Sequence, residues 1–386
     1  MAIPLKYNYL SLLKRRVSTL MTVFSIALVV FIFVSVMALA NGLETALIAS
    51  GDPLNVMVMR RGSGSELSSA VSHEALQVLK YLPGVQNAAG GEPIVSPEVF
   101  VIVNLPRPDG ALANIAVRGT SPVGADLRPQ LRLIEGRMFQ PGLREVVVSR
   151  TISRRFPGVR LGSQVKLGKA NWNIVGIFDA QGTAFDSEIW GDVNQVAGDF
   201  SYQDYSSVLL RAKDAAAVKE LVSRIESDKN NDLTAQPESE YYAQQTWAAG
   251  PIKLMGMFIA VVMGVGACFA AMNTMYAAVS YRTKEIATLQ VLGFRRRSIL
   301  ISFLAESMLV ALVGGIVGCL LSLPVNKLTT ATTNLQTFSE VAFAFRTSPQ
   351  LLLIGMIFAV MIGLFGGLFP ARQAARQSLA LALRKG

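Results

Sequence analysis

The amino-acid sequence predicts an α-helical membrane protein with four transmembrane helices and a large, two-lobed α+β extracytoplasmic domain between spans 1 and 2. Three observations lead there. Of the 386 residues, 51% are apolar and only 16% are charged, unlike a wholly water-soluble chain. Four nearly uncharged runs, 20–40, 254–281, 299–326 and 347–371, each supply the ~20 residues that cross a bilayer. Finally, thirteen Lys and Arg against one acid flank these runs on one side, whereas residues 43–250 hold 20 Lys/Arg and 23 Asp/Glu.

That charge bias orients the chain, because basic residues stay cytoplasmic. Residues 1–18, with Lys6, Lys14, Arg15 and Arg16, are expected as a cytoplasmic, interfacial amphipathic helix before span 1 at 19–41. Ala38-Leu39-Ala40 resembles a signal-peptide cleavage site, but the apolar run is too long for one, so an uncleaved span is expected.

Residues 42–250 form the expected outer domain and stalk. Residues 72–81 and 215–226 read as amphipathic helices. Strand patterns cover 99–104, 113–117, 145–149, 165–167, 173–177 and 207–210. Interleaved strands and short helices indicate an α+β domain. The Gly- and Ser-rich stretch 61–69 reads as a flexible tip or linker, and 238–249 as a helical stalk. Span 2 follows at 251–281, a basic cytoplasmic helix at 282–298, span 3 at 299–324, a short outer loop at 325–347, span 4 at 348–369 and a cytoplasmic C-terminal helix at 370–386.

Several chemistries are excluded or left without support. Cys268 and Cys319 both lie in apolar runs, roughly 20 and 30 Å from the cytoplasmic helix ends, and read as packing residues. His73 is the one histidine, so no histidine-based metal cluster forms and no metal is expected. The outer carboxylates read as scattered over a solvated surface. The net charge of +10 flanks the membrane runs, so nucleic acid is not an expected partner. No G-x-x-x-x-G-K-[ST] loop occurs, so ATP hydrolysis is not expected of these residues.

Glu306 is the one acid within a span, roughly 10 Å from its cytoplasmic end. Two readings stand equal: a hydrogen bond to Asn273 across antiparallel helices, or snorkelling towards Arg295–Arg297. A single acid makes no proton relay. Gly314-x-x-x-Gly318 and Gly363-x-x-x-Gly367 each put two glycines on one helix face, which favours close interhelical packing.

The basic stretch at 281–298 carries an apolar stripe, Ile286, Leu289 and Leu292, that Gly293 can terminate. Arg295–Arg297 then lie past the helix end, where positive charge suits the dipole. Such a helix either lies on the membrane or serves as a handle that moves both spans.

From Met272-Asn273-Thr274-Met275 through Arg282/Glu285-Ile286 and Leu289/Leu292-Gly293 to Phe303-Leu304/Glu306, the sequence resembles the signature of MacB/FtsX-type permeases of ABC transporters. The resemblance covers the whole chain, with Gln290 where an arginine is frequent and Leu379 near a common proline. It implies a non-enzymatic, mechanotransmission-type permease subunit in the bacterial inner membrane, with both termini cytoplasmic and the large domain periplasmic. A separate cytoplasmic ABC ATPase would carry ATP-Mg, so no cofactor is expected on this chain. A second permease copy, the lipid bilayer, and a periplasmic adaptor or cargo protein complete the implied partners. Arg282, Lys284, Glu285, Ile286, Leu289, Leu292, Gly293 and Phe294 would form the ATPase-coupling helix. The implied function is export or extraction of a hydrophobic or lipidated cargo; the alternative is a non-transporting scaffold that gates a periplasmic partner such as a cell-wall hydrolase.

Overall fold

The computed structural model describes residues 12, 15–228, 230–334 and 336–377. Most of the expected N-terminal helix, and the tail beyond residue 377, lie outside the described residues. The chain divides into two compact units: a helical unit of residues 1–41, 250–328 and 345–386, and a mixed unit of 42–249 and 329–344.

The first helix, α1 (Arg16–Ile48), has 33 residues. At 1.5 Å per residue that is about 50 Å, longer than the ~30 Å hydrocarbon core. The mixed unit then runs through β1 (Asn55–Arg60), a 3₁₀ turn (Glu66–Ser68), α2 (His73–Lys80), β2 (Val95–Pro106), β3 (Leu112–Thr120), α3 (Pro122–Asp126), β4 (Arg132–Gly136), β5 (Glu145–Ser149), α4 (Arg150–Arg155), β6 (Gln164–Leu167) and β7 (Ala170–Asp179). It continues with β8 (Glu188–Asp192), α5 (Val193–Phe200), β9 (Ser207–Arg211), α6 (Ala215–Ser227), β10 (Leu233–Pro237) and α7 (Glu238–Gln245).

Helix starts follow their caps: the Ser72, Asp192 and Asp214 side chains accept from the backbone N–H groups of Ala75, Gln195 and Ala217. The strands run β10-β1-β9-β2-β3-β8-β5-β7-β4, with β6 on β7. Only β3/β8 and β5/β7 are parallel among these pairs. The two expected lobes are joined through β2, which pairs Val95–Glu98 with β9 and Val99–Pro106 with β3. Val58, Val101, Ile115, Val148 and Leu221 belong to one buried apolar core.

Residues 61–69 are not a loose linker. Ser65, Glu66 and Ser69 are buried, and the Ser69 hydroxyl accepts from the Arg60 backbone N–H. The polar composition that suggested flexibility instead supplies partners inside the fold.

The helical unit holds α8 (Ala249–Tyr281), α9 (Thr283–Val291), α10 (Arg296–Ser322) and α11 (Pro349–Arg376). With α1, four helical stretches among the described residues are long and apolar enough to cross a membrane. The expected short loop between spans 3 and 4 contains an antiparallel hairpin, β11 (Thr329–Thr333) with β12 (Glu340–Ala344). It groups with the mixed unit, where Glu340 pairs with Arg107 and Arg155. The run Thr-Thr-Ala-Thr-Thr carries no apolar alternation, so this strand was not legible.

Close packing uses the paired glycines. A Cβ on Gly314 would meet Ile26 at 2.9 Å, and one on Gly318 the Ala27 carbonyl oxygen at 2.6 Å, so both face α1. Cβ atoms on Gly363 and Gly367 would meet Ala311 and Ser307 of α10 at 2.4 and 2.5 Å. The Ser307 hydroxyl donates to the Gly363 carbonyl at 2.7 Å, satisfying its hydrogen bond within the apolar unit. Cys268 and Cys319 are free thiols.

Candidate functional site

The short helix α9 sits between α8 and α10, and its geometry follows from three local features. At its start, Arg282 has φ −105° and ψ 15°, which breaks α8 from α9. At its end, Gly293 has φ +87°, a left-handed conformation that glycine adopts without strain. The Gly293 N–H donates to the Gln290 carbonyl at 3.1 Å, and the Phe294 N–H to the Leu289 carbonyl at 3.1 Å. This paired pattern is a Schellman cap, which stops the helix and turns the chain towards α10.

Arg282 is turned inward. Its guanidinium donates to Glu306 at 2.8 Å and to Glu285 at 3.2 Å, and it lies 5.5 Å from the Phe303 ring centroid. Glu306 is 2% exposed and Arg282 8%, so this is a buried pair. Breaking such a pair by removing one partner costs about 3–5 kcal/mol. Both sequence readings of Glu306 are therefore corrected. Asn273 is exposed, on the face of α8 opposite Ala271, Met275 and Ala278, while neighbouring Thr274 hydrogen-bonds Thr22 at 3.0 Å. Arg295, Arg296 and Arg297 are exposed. An inward arginine at the helix break reaches Glu306 first.

The apolar stripe also divides. Ile286 is 1% exposed and packs in a cluster with Met275, Val279, Ile299, Phe303, Ala371 and Ala374. Leu289 is half-buried, and Leu292 is 66% exposed. Each three-residue step drifts round the helix by about 60°, so Ile286 and Leu292 lie about 120° apart, and one end packs inward while the other points out. Val291 at 65% exposure joins Leu292, and Lys284, Glu285 and Thr288 are exposed as well. Phe294 is half-buried. One face of α9 is thus fastened to α8, α10 and α11, and the other presents mixed apolar and charged groups.

The mixed unit contains a second constellation that sequence reasoning missed. Arg118 donates to Glu66, Glu98 and Glu188, and Arg128 to Glu98 and Glu238, at 2.5–3.1 Å. All six side chains are buried. Asn55 donates to Glu238 at 2.8 Å, and the Trp190 indole N–H to Glu188 at 2.8 Å. Arg128 also lies 4.9 Å from the Phe185 ring and 5.2 Å from that of Trp190. Burial opposes ionisation of Glu98, but Arg128 and Arg118 override it and hold its carboxyl at about 2. For Glu238 burial dominates and lifts the carboxyl above its usual range, against the pull of Arg128 and Asn55. The earlier reading of scattered surface carboxylates is corrected here. Dense hydrogen bonding and opposed charges mark a structural brace, and among the described residues no group of three or more His, Cys, Asp or Glu could hold a metal. No local pattern advertises it: the members come from separate strands and loops.

Comparison with known proteins fits this layout. Residues 19–228 match the model of the MacB-like periplasmic core domain, and 257–379 that of the FtsX-like permease C-terminal domain. The chain belongs to the MacB/FtsX-type permease family. A Brucella abortus relative, described as the macrolide export ATP-binding/permease protein MacB, is 27% identical over 393 residues, covering 95% of this chain and 57% of the relative. A protein of the same description from Bordetella avium is 24% identical over 369 residues, covering 84% and 54%. The chain thus spans little more than half the length of these relatives. Among solved structures, the periplasmic region of MacB from Actinobacillus actinomycetemcomitans aligns with a TM-score of 0.39 at 16% identity, covering 51% of this chain and 93% of that one. The extracellular domain of the ABC-type transporter YknZ aligns at 0.35 and 18%, covering 47% and 99%. In family terms, this MacB/FtsX-type permease is a membrane protein with four spans and a MacB-like periplasmic core domain between the first two.

Proposed function

We propose that this chain is the permease subunit of an ABC transporter in a bacterial inner membrane. A separate ATPase subunit would bind and hydrolyse ATP, and the permease would convert that work into motion of its outer domain, exporting or extracting a hydrophobic or lipidated cargo. The observation that carries this reading is α9: a capped helix between two spans, fastened on one face by Ile286 and the Arg282–Glu306 pair, with Val291 and Leu292 exposed on the other. Force applied to such a helix passes to α8 and α10 rather than being absorbed by bending. The α8 helix continues from α7, so a covalent route leads from the coupling helix to the outer domain. Family membership supports the reading, and two permease copies per complex are part of it.

The test is capture of the ATPase by the detergent-solubilised, tagged permease from its native membranes. Leu292→Asp places a charge where the partner would bury it, at a cost of several kcal/mol. Contact energy concentrates in a few central residues, so capture and stimulated ATP hydrolysis should fall at least tenfold. Ile286→Asp should instead lower membrane levels, because Ile286 is internal. Undiminished capture and stimulation with Leu292→Asp would overturn the proposed coupling face. Lipid or lipoprotein copurifying with the complex supports transport; its replacement by a cell-wall hydrolase supports gating.

A further inference from the structure

The mixed unit carries a cleft of about 420 Å³ that neither the coupling helix nor the buried ion network uses. This is within the size range of small-molecule sites, about 300–1,000 Å³. Its walls are held by backbone bonds. On one side the Gln86 N–H donates to the Arg211 carbonyl, and the Ile94 N–H to the Gln86 carbonyl, both at 2.8 Å. On the other, α3 leads into Leu127, which is 5% exposed.

The lining combines an apolar surface, including Ile94, Val123 and Leu127, with four charged groups. Arg211 and Asp52 satisfy each other at 2.9 Å. Glu92 and Asp126, both exposed, are the carboxylates left over among the described lining residues. The cleft therefore offers apolar contact and an excess of negative charge. A metal ion does not suit it, because no three ligating side chains converge among the described residues. An anion meets repulsion, and a neutral apolar molecule gains nothing from the two carboxylates.

We propose that this cleft binds organic cations that carry a permanent or protonated ammonium on an apolar body. The apolar body would cover Ile94, Val123 and Leu127 while the ammonium lies between Glu92 and Asp126 and keeps part of its hydration. Charge complementarity selects the class, and the cleft's volume restricts the size. As a cargo site or cargo sensor this rests on the transport reading; as a binding site it stands alone.

The experiment is isothermal titration of the full chain, in an uncharged detergent, with benzyltrimethylammonium, a water-soluble probe that has an aromatic ring and a fixed positive charge. Benzenesulfonate and benzyl alcohol are the anionic and neutral controls. One saturable site per chain is expected for the cation only, weakening as salt rises from 50 to 500 mM. Glu92→Gln with Asp126→Asn should weaken binding about tenfold, since each exposed ion contact accounts for a few-fold at most. Ala88→Trp keeps both carboxylates but fills the exposed rim, and should abolish binding. All three substitutions are at exposed positions, and unchanged thermal unfolding verifies the fold. No saturable cation binding, equal binding of benzenesulfonate, or undiminished binding in both variants overturns the proposal. ATPase capture is measured on the same unsubstituted protein: absence of cation binding with capture intact refutes the cleft alone, and absence of capture with cation binding intact refutes the coupling reading alone.

Discussion

Replacing Arg128 by methionine should destabilise the outer domain by about 3–5 kcal/mol, the cost of breaking a buried ion network by removing one partner. Arg128 is 1% exposed and donates to Glu98 at 2.5 and 2.9 Å and to Glu238 at 3.0 Å. Methionine retains the apolar stem but strands two carboxylates. Glu98 keeps Arg118 at 2.6 Å, whereas Glu238 keeps only neutral donors, Asn55 and the Asp52 backbone N–H. The loss therefore falls mainly on Glu238. For a domain of this size 1 kcal/mol shifts Tm by about 2–4 °C, so the expected drop is about 6–20 °C. Trp190 lies 5.2 Å from the Arg128 guanidinium, so tryptophan fluorescence during heating of the purified protein reports on the site. Adding Glu238→Gln removes the stranded charge and should restore a third or more of the lost Tm, a coupling expected between contacting residues. A drop below 2 °C for Arg128→Met, or no recovery in the double variant, would refute the view that this network braces the domain.

Three further outcomes are expected. In a background lacking Cys268 and Cys319, Asp109→Cys should react with an impermeant maleimide in cells with a permeabilised outer envelope, and Arg297→Cys should not; labelling of position 297 contradicts the orientation read from the basic bias. Glu306→Leu should lower membrane levels by exposing Arg282 to an apolar setting, and Arg282→Met in the same chain should recover them; equal levels in the single and double variants argue against a structural ion pair. The pH dependence of outer-domain stability should show two opposite contributions. Glu98, held at about 2, stabilises above the unfolded carboxylate range and loses that contribution as pH falls towards 2. Glu238, raised by burial, favours the folded state at low pH and loses that contribution as pH rises through its folded value, so Glu238→Gln should flatten the upper side of the profile in pH-dependent urea unfolding; an unchanged upper side contradicts the raised carboxyl.

The four apolar runs and the basic bias around them were legible because hydropathy and charge are properties of consecutive residues. The same holds for the capped helices at 72–81 and 215–226, six of the twelve strands among the described residues, and the stop at Gly293, each set by residues within one or two turns. Which face of α9 is outward was not legible. The stripe of Ile286, Leu289 and Leu292 defines a helix, but only packing against Phe303 and Ala371 decides that Ile286 goes inside and Leu292 outside. Partner choice was equally out of reach. Glu306 finds Arg282, 24 residues away, rather than Asn273, because helix rotation turns Asn273 to the exposed face. Arg118 meets Glu66 across 52 residues and Arg128 meets Glu238 across 110. The sequence by itself determined which segments are apolar and long enough to cross a membrane, and that the short helix before Gly293 stops there. Only the tertiary structure decided which charges are buried and with whom, since a charge enters a low-dielectric interior only where distant strands bring its counter-charge within hydrogen-bonding distance.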